Sequence, residues 1–334
     1  MSLPPVEIPL GAIRFNSDFQ KLEYFNGDIW MQVHTFSPDL NGGSRGVIMG
    51  GSAGSMLNTI QYITISTAGN AVDFGDRTVT GSAGQFSSNT RGVCAGRAAP
   101  SYVNTVDYIT MSSTGNALDF GDKTTNDARS IGNSNQTRGF TAGGFDAPAA
   151  DDHIDYCTIA STGNFVDFGN LLSNSERPSG NLSSPTRAIW SGGDTDGAGN
   201  YTNTISYTTI ATTGNAKDFG DTTVGRTGAN GVSSPTRGLL GGGYVSPGGK
   251  NNIEYITIAT LGNSTDFGDT IQAKYSMNSV TDSVRGVFAG GQSPSVDTIC
   301  YVNIATKGDA VDFGNLLAAQ QDGGGCSTAH GGLG

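Results

Sequence analysis

Arg285-Gly286-Val287-Phe288-Ala289-Gly290-Gly291 opens a stretch that runs on through Tyr301, turns at Gly308-Asp309 and ends in Asp312-Phe313-Gly314. The same order occurs six times, with Arg45, Arg91, Arg138, Arg187, Arg237 and Arg285 each opening a unit. A small residue, an apolar pair and usually Gly-Gly follow the Arg, then a variable loop. Each unit next holds one Tyr in a strand-like run, at Tyr62, Tyr108, Tyr156, Tyr207, Tyr255 and Tyr301. A Gly-Asn or Gly-Asp pair, as at Gly69-Asn70 and Gly115-Asn116, precedes a triplet that begins at Asp73, Asp119, Asp167, Asp218, Asp266 and Asp312. Self-similarity at a fixed period outranks any local motif, because it dictates how the whole chain stacks.

From the Tyr to the Phe of Asp-Phe-Gly the distance is 12 residues in all six units, whereas the loop before the Tyr changes length. Constant strand-turn-strand spacing around Gly-Asn predicts a hairpin whose turn accepts positive φ. In the Tyr strand Ile60 and Tyr62 lie on one side, and Ile63 and Ile65 on the other. Such a strand must be covered on both faces, which blades stacked about an axis achieve. Successive Tyr residues are 46 to 51 positions apart, the length of one blade. The sequence therefore predicts an all-β fold: a six-bladed β-propeller over residues 41–334, behind an N-terminal β-rich segment over 1–40 that forms a short meander. Closure should come from residues 318–334, because His330 stands 17 residues after Phe313, where the other units carry their Arg. A truncated seventh opening strand would there pair with the first unit and remove an open edge.

The bulk numbers agree with short strands and turns: 334 residues include 51 Gly and only 14% charged residues. A formal net charge of −11 leaves no basic patch for phosphates, so nucleic acid and anionic membranes are excluded as main partners. No apolar run approaches a membrane span, and Met1 to Gly11 lacks the basic and apolar regions of a secretory signal. Cys94, Cys157, Cys300 and Cys326 are scattered without metal-ligand spacing, and read as reduced. Cys94 and Cys157 fall where other repeats carry Ile, Leu or Phe, the behaviour of buried small hydrophobes.

These units resemble kelch-like propellers, in which an apolar strand ends in Gly-Gly and a later Tyr and aromatic residue complete each blade. Phe replaces the usual Trp here, at greater spacing. They are more similar still to the Gly-rich repeats of propellers in tailed phages of marine and cyanobacterial hosts, with units like Arg-Gly-Val-Phe-Ala-Gly-Gly and Thr-Gly-Asn-Ala-x-Asp-Phe-Gly. The resemblance runs from Arg45 to the last residue. Upstream, Gly11-Ala12-Ile13-Arg14-Phe15-Asn16 and Lys21-Leu22-Glu23-Tyr24-Phe25-Asn26-Gly27-Asp28-Ile29-Trp30 resemble a module of phage tail-fibre and virion proteins. Strands are expected near Ala12 to Phe15, Lys21 to Phe25 and Ile29 to Val33. Phe15, Tyr24 and Trp30 are more aromatic surface than so small a sheet can bury, which marks them for virion attachment or oligomerisation.

One Arg and one Asp per blade predict a repeated structural ion pair rather than a ligand ring, joining Arg45, Arg91, Arg138, Arg187, Arg237 and Arg285 to Asp73, Asp119, Asp167, Asp218, Asp266 and Asp312. Asp194-Thr195-Asp196-Gly197-Ala198-Gly199-Asn200 has the spacing of part of a calcium loop, but lacks a downstream Glu and reads as a polar turn. Asp151-Asp152-His153 reads as a solvated loop tip. His34, His153 and His330 are the only histidines, and none lies near a nucleophile in the repeat register. No catalytic residue, metal site or cofactor is expected, and the protein reads as a binding part rather than an enzyme. Recognition should fall to the variable loops, where Tyr102, Phe145, Tyr201 and Tyr244 offer rings to sugars or proteins.

The resemblance implies a virion protein made in the host cytoplasm, a tail fibre or spike component. Its partners would be other virion proteins and a host surface polysaccharide or outer-membrane protein, and it would be a homo-oligomer, with a trimer favoured by family. The alternative is a capsid decoration, head fibre or connector with a purely structural role. A cellular kelch-like scaffold fits the N-terminal module less well.

Overall fold

The computed structural model describes residues 8–16, 21–32, 44–81, 84–97, 101–146 and 149–333. The chain divides into two units, Met1–Gly42 and Gly43–Gly334. In the first, Ile13–Asn16, Lys21–Phe25 and Trp30–Gln32 form a three-stranded antiparallel meander. Its second turn is held by the Asn26 carboxamide oxygen, which accepts from the Asp28 and Ile29 amides, and Gly27 supplies the positive φ of 101°. Val33 and His34 lie outside the described residues. Register places Ile13 against Tyr24, Tyr24 against Met31 and Phe15 against Leu22. These five side chains therefore share one face, and all are exposed. Trp30 sits on the opposite face, beneath the Arg14 guanidinium 4.2 Å from its ring centre.

The second unit consists of six antiparallel sheets, each with the same four-strand order. In the second sheet an inner strand Gly84–Ser87 is followed by the Arg strand Arg91–Arg97, the Tyr strand Val103–Thr110 and an outer strand Leu118–Asp122. Equivalent inner strands are Ile131–Ser134, Ser179–Ser183, Asn230–Ser233 and Asn278–Thr281 in the third to sixth sheets. The fifth sheet carries an additional short strand, Tyr244–Val245. The first sheet takes its inner strand from the far end of the sequence: Gly324–Ser327 pairs with Arg45–Met49, with Cys326 opposite Val47. In the second to sixth sheets the inner strand thus begins seven or eight residues before the Arg. The pairing strand also lies ahead of His330, which occupies no strand.

Apolar residues on both faces of each sheet are buried because each interface between consecutive sheets holds its own core. Val47, Met49 and Ile60 of the first sheet pack against Cys94, Ile109 and Met111 of the second. Ile48, Ile63 and Ile65 on the other face of the first sheet pack against Val287, Ile299 and Phe313 of the sixth. The inner strands touch in cyclic order, the sixth meeting the first and the first meeting the second.

The Gly-Asn pair does not form the hairpin turn expected of it. The bend falls at residues 65–67 in the first unit, and the pair follows it, with the expected positive φ at Gly115, Gly163, Gly214, Gly262 and Gly308. Its work is between sheets. Gly115 donates its amide to Phe74 and Asn116 accepts from the Asp76 amide, both of the preceding sheet. Only Gly fits this contact, since a Cβ on Gly75 would stand 2.4 Å from the Gly115 carbonyl oxygen. The six Asn or Asp acceptors, Asn70, Asn116, Asn164, Asn215, Asn263 and Asp309, repeat this bond around the unit.

Candidate functional site

The six repeat arginines are half-buried, but among the described residues none pairs with a repeat Asp. Strand alternation explains the correction. Arg45 shares a face with Val47, Tyr62 and Val72, whereas Asp73 lies opposite Gln61 on the other face. Each guanidinium instead lies over the Tyr of its own unit, with centroid distances from 4.4 Å at Arg91 to 5.0 Å at Arg138. Its Nη1 donates to a backbone carbonyl of the next sheet: Arg45 to Met111, Arg91 to Ile159, Arg138 to Ile210, Arg187 to Ile258, Arg237 to Ile304 and Arg285 to Ile65. Stacking and charge-assisted bonds, not ion pairs, are what these arginines make. Asp73, Asp119, Asp167, Asp218, Asp266 and Asp312 are exposed on the outer strands.

Buried charges sit elsewhere, at positions the repeat pattern did not single out. The residue before each Tyr is buried, and in four units it accepts a hydrogen bond from the segment after the previous Asp-Phe-Gly. Thr78 donates to Asp107, Thr124 to Asp155 and Thr223 to Glu254, while the Leu317 amide donates to Gln61. Arg77 Nε lies 3.1 Å from Asp107, and Arg226 Nη2 lies 3.1 Å from Glu254. Burial pushes the Glu254 carboxyl up, but Arg226, Ser264 and Thr223 together outweigh it and hold it below its ordinary value. Asp127, beside Lys123, is raised by burial. The Thr-Asp and Thr-Glu pairing between consecutive units is visible in the sequence once the register is known.

At the centre, one hydroxyl per inner strand forms a ring: Ser87, Ser134, Ser183, Ser233, Thr281 and Ser327, all buried. Ser134 donates to the Ser87 carbonyl and Ser87 to the Ser327 carbonyl, both at 2.8 Å. The strands approach so closely that a Cβ on Gly231 would meet the Gly180 carbonyl at 1.9 Å. His330 fills this centre. Its Nε2 donates to the Ser87 carbonyl at 2.8 Å, and its Nδ1 accepts from the Gly332 amide at 3.1 Å. Burial lowers its pKa to about 4. The expectation that His330 takes the Arg position of a seventh opening strand is therefore corrected: beyond Ser327 the chain leaves the sheet, and its turn Gly331–Leu333 packs against the Ser134, Ser183 and Ser234 carbonyls. Hydroxyls of the ring and His330 line a cavity of about 20 Å³, the size of a water molecule.

Asp151-Asp152-His153 belongs to the strand Ala149–Thr158 rather than to a loop tip. His153 Nε2 lies 3.2 Å from Asp155 and 3.6 Å from Asp167. In the loop Asp194–Asn200, Asp194 accepts from the Asp196, Gly197 and Gly199 amides, so its oxygens close a polar turn. Among the described residues no group of three or more His, Cys, Asp or Glu is placed to hold a metal. The four cysteines are free and buried, and burial raises Cys94 to about 12 and Cys300 to about 11.

The variable loops precede the Tyr strands, and the connections between sheets reach the same rim because neighbouring strands are antiparallel. The candidate rings gather there in two groups. Tyr102 and Phe145 meet edge to face at 6.0 Å. Tyr201 meets Tyr244 at 5.9 Å, and Tyr244 meets Tyr275 at 5.0 Å, a third ring the sequence reading passed over. These three, with Glu176, Arg177, Asp194, Gly197 and Thr227, line a cleft of about 230 Å³. Burial, the two neighbouring tyrosines and Asp194 raise the Tyr201 phenol above its ordinary value. Phe15 and Tyr24 lie on the apolar face of the N-terminal sheet, and Trp30 on its other face.

Among the described residues no helix is long and apolar enough to cross a membrane. No protein-family model matches the chain, and no curated protein matches it in sequence.

Proposed function

We propose that the six sheets are the blades of a kelch-like β-propeller and that the protein is a virion component of a tailed phage, a tail fibre or spike whose propeller engages the host surface. The cyclic order of inner-strand contacts and the strand Gly324–Ser327 completing the first sheet support the propeller reading. One observation carries the functional reading: the sheets are clamped by repeated contacts, while loops of differing length and content share one rim. A rigid frame presenting varied loops suits recognition, and a binding role fits better than catalysis because the buried ionisable groups are committed to sheet-to-sheet contacts. The exposed apolar face of Ile13, Phe15, Leu22, Tyr24 and Met31 suits attachment to other virion proteins or to further copies of this chain.

Adsorption tests the reading. Purified full-length protein should bind cells of a marine cyanobacterial panel and block infection of at least one strain by the cognate phage. A protein that neither binds nor blocks, yet is found on the particle, would move the assignment to a capsid decoration, head fibre or connector.

A further inference from the structure

Three tyrosines supplied by three different sheets converge on one cleft. Tyr201 comes from the loop of the fourth sheet, Tyr244 from the loop of the fifth, and Tyr275 from the connection into the sixth. Local chain packing does not require this convergence. Thr227, also in the wall and in the connection into the fifth sheet, donates to the Glu176 and Arg177 carbonyls of the connection into the fourth. The frame beneath the rings is rigid: Thr227 and Tyr244 exchange backbone bonds of 3.2 and 2.7 Å.

We propose that this cleft binds a neutral pyranose of a surface glycan. The assignment deepens the recognition reading and rests on it for its biological use. The aromatic centroids are 5.9 and 5.0 Å apart with interplanar angles of 90° and 58°, so the rings touch edge to face and enclose no void, and a ring face is left for stacking. A cage for a quaternary ammonium needs rings spread around a void, and here no cation fits between them. Arg177 in the lining opposes a cation further, while Glu176 and Asp194 oppose an anionic sugar. A neutral sugar meets neither obstacle. Its C–H face stacks on the tyrosines, and its hydroxyls donate to the two carboxylates. The Glu176 carboxylate is held in place by Arg129, and Asp194 by the amides of its own turn, so both acceptors are fixed before a ligand arrives.

Saturation-transfer NMR on the full-length protein tests this with methyl glycosides of glucose, galactose, mannose and N-acetylglucosamine, and with methyl glucuronide and glucosamine as charged counterparts. At least one neutral glycoside should bind in the millimolar range, and at least fivefold more tightly than its charged counterpart. Tyr244→Ala and Tyr275→Ala should each weaken it tenfold or more, and Lys217→Ala, on the exposed outer strand, should not. If Tyr244→Ala melts early, Tyr244→Leu keeps the bulk without the ring and should show the same loss. Absence of binding by all four neutral sugars overturns the assignment, as does unchanged affinity in the tyrosine variants. Adsorption is scored separately: a wild type that adsorbs but binds no sugar refutes this site alone. A Tyr244→Ala protein that loses sugar binding but still adsorbs keeps the site and refutes its role in host attachment.

Discussion

Glu254 and Arg226 are both buried, and each offsets the other's charge there. Removing one partner leaves an uncompensated charge between the fourth and fifth sheets, which costs about 3 to 5 kcal/mol. Glu254→Ala should therefore lower the unfolding free energy by about that amount in urea titrations. Arg226→Met with Glu254→Leu together should lie within about 1 kcal/mol of wild type, because matched apolar groups replace the pair. His330 makes a prediction of opposite chemistry. Its Nδ1 faces an amide N–H, so a proton there has no acceptor. The unfolded chain takes up this proton near the ordinary value of 6.5, and the folded chain only near 4. Between those values the unfolded state binds more protons, so stability is full above 6.5, falls as pH drops, and levels off below about 4. The loss amounts to about 3 kcal/mol. His330→Asn should lose less stability than wild type between pH 7 and pH 4, and equal slopes would show that His330 does not carry the effect.

At the level of strands, particular glycines on the inner strands leave no room for a side chain. A Cβ on Gly231 would lie 1.9 Å from a backbone oxygen, and nothing lies within 4 Å of one on Gly248. Gly231→Ala should lower the melting temperature by several degrees, whereas Gly248→Ala should leave it within a degree or two. The Arg, Tyr and Phe positions made the middle and outer strands legible, because a bulky residue at constant spacing leaves a period that survives changes in the loops. The inner strands were not legible. Gly324-Gly325-Cys326-Ser327 and Ile131-Gly132-Asn133-Ser134 share a Gly and a closing Ser, but four residues with one or no apolar side chain are too few to show a hydrophobic alternation. The partners of the repeat arginines were misread for a related reason. Position in sequence says which residues recur, but the face each points to depends on register, and Asp73 is on the far side of its sheet from Arg45. The same holds for the cleft: Tyr201 and Tyr244 were visible as loop aromatics, whereas Tyr275 joined them only through a connection that the repeat pattern left unassigned.

Across the second unit, cohesion depends on a strand borrowed from the far end of the sequence. Cys326 of that strand shares a core with Cys94, which burial renders unreactive. A chain truncated before Gly324 should melt earlier than wild type, scatter light on warming through its uncovered Arg45–Met49 edge, and label at Cys94 with thiol reagents under native conditions. Removing only residues 331–334 should leave Cys94 protected. A truncated protein that melts and labels like wild type would mean that pairing with Gly324–Ser327 contributes nothing to holding the sheets together.

Because that pairing spans nearly the whole length of the second unit, the order of synthesis matters. While the ribosome is still translating, the first sheet waits with an unpaired edge and half of one core uncovered, until Gly324–Ser327 emerges from the exit tunnel. A nascent chain stalled short of that point holds a sticky strand ready for any neighbour on the same message, so early termination should produce aggregates rather than a slightly smaller soluble product.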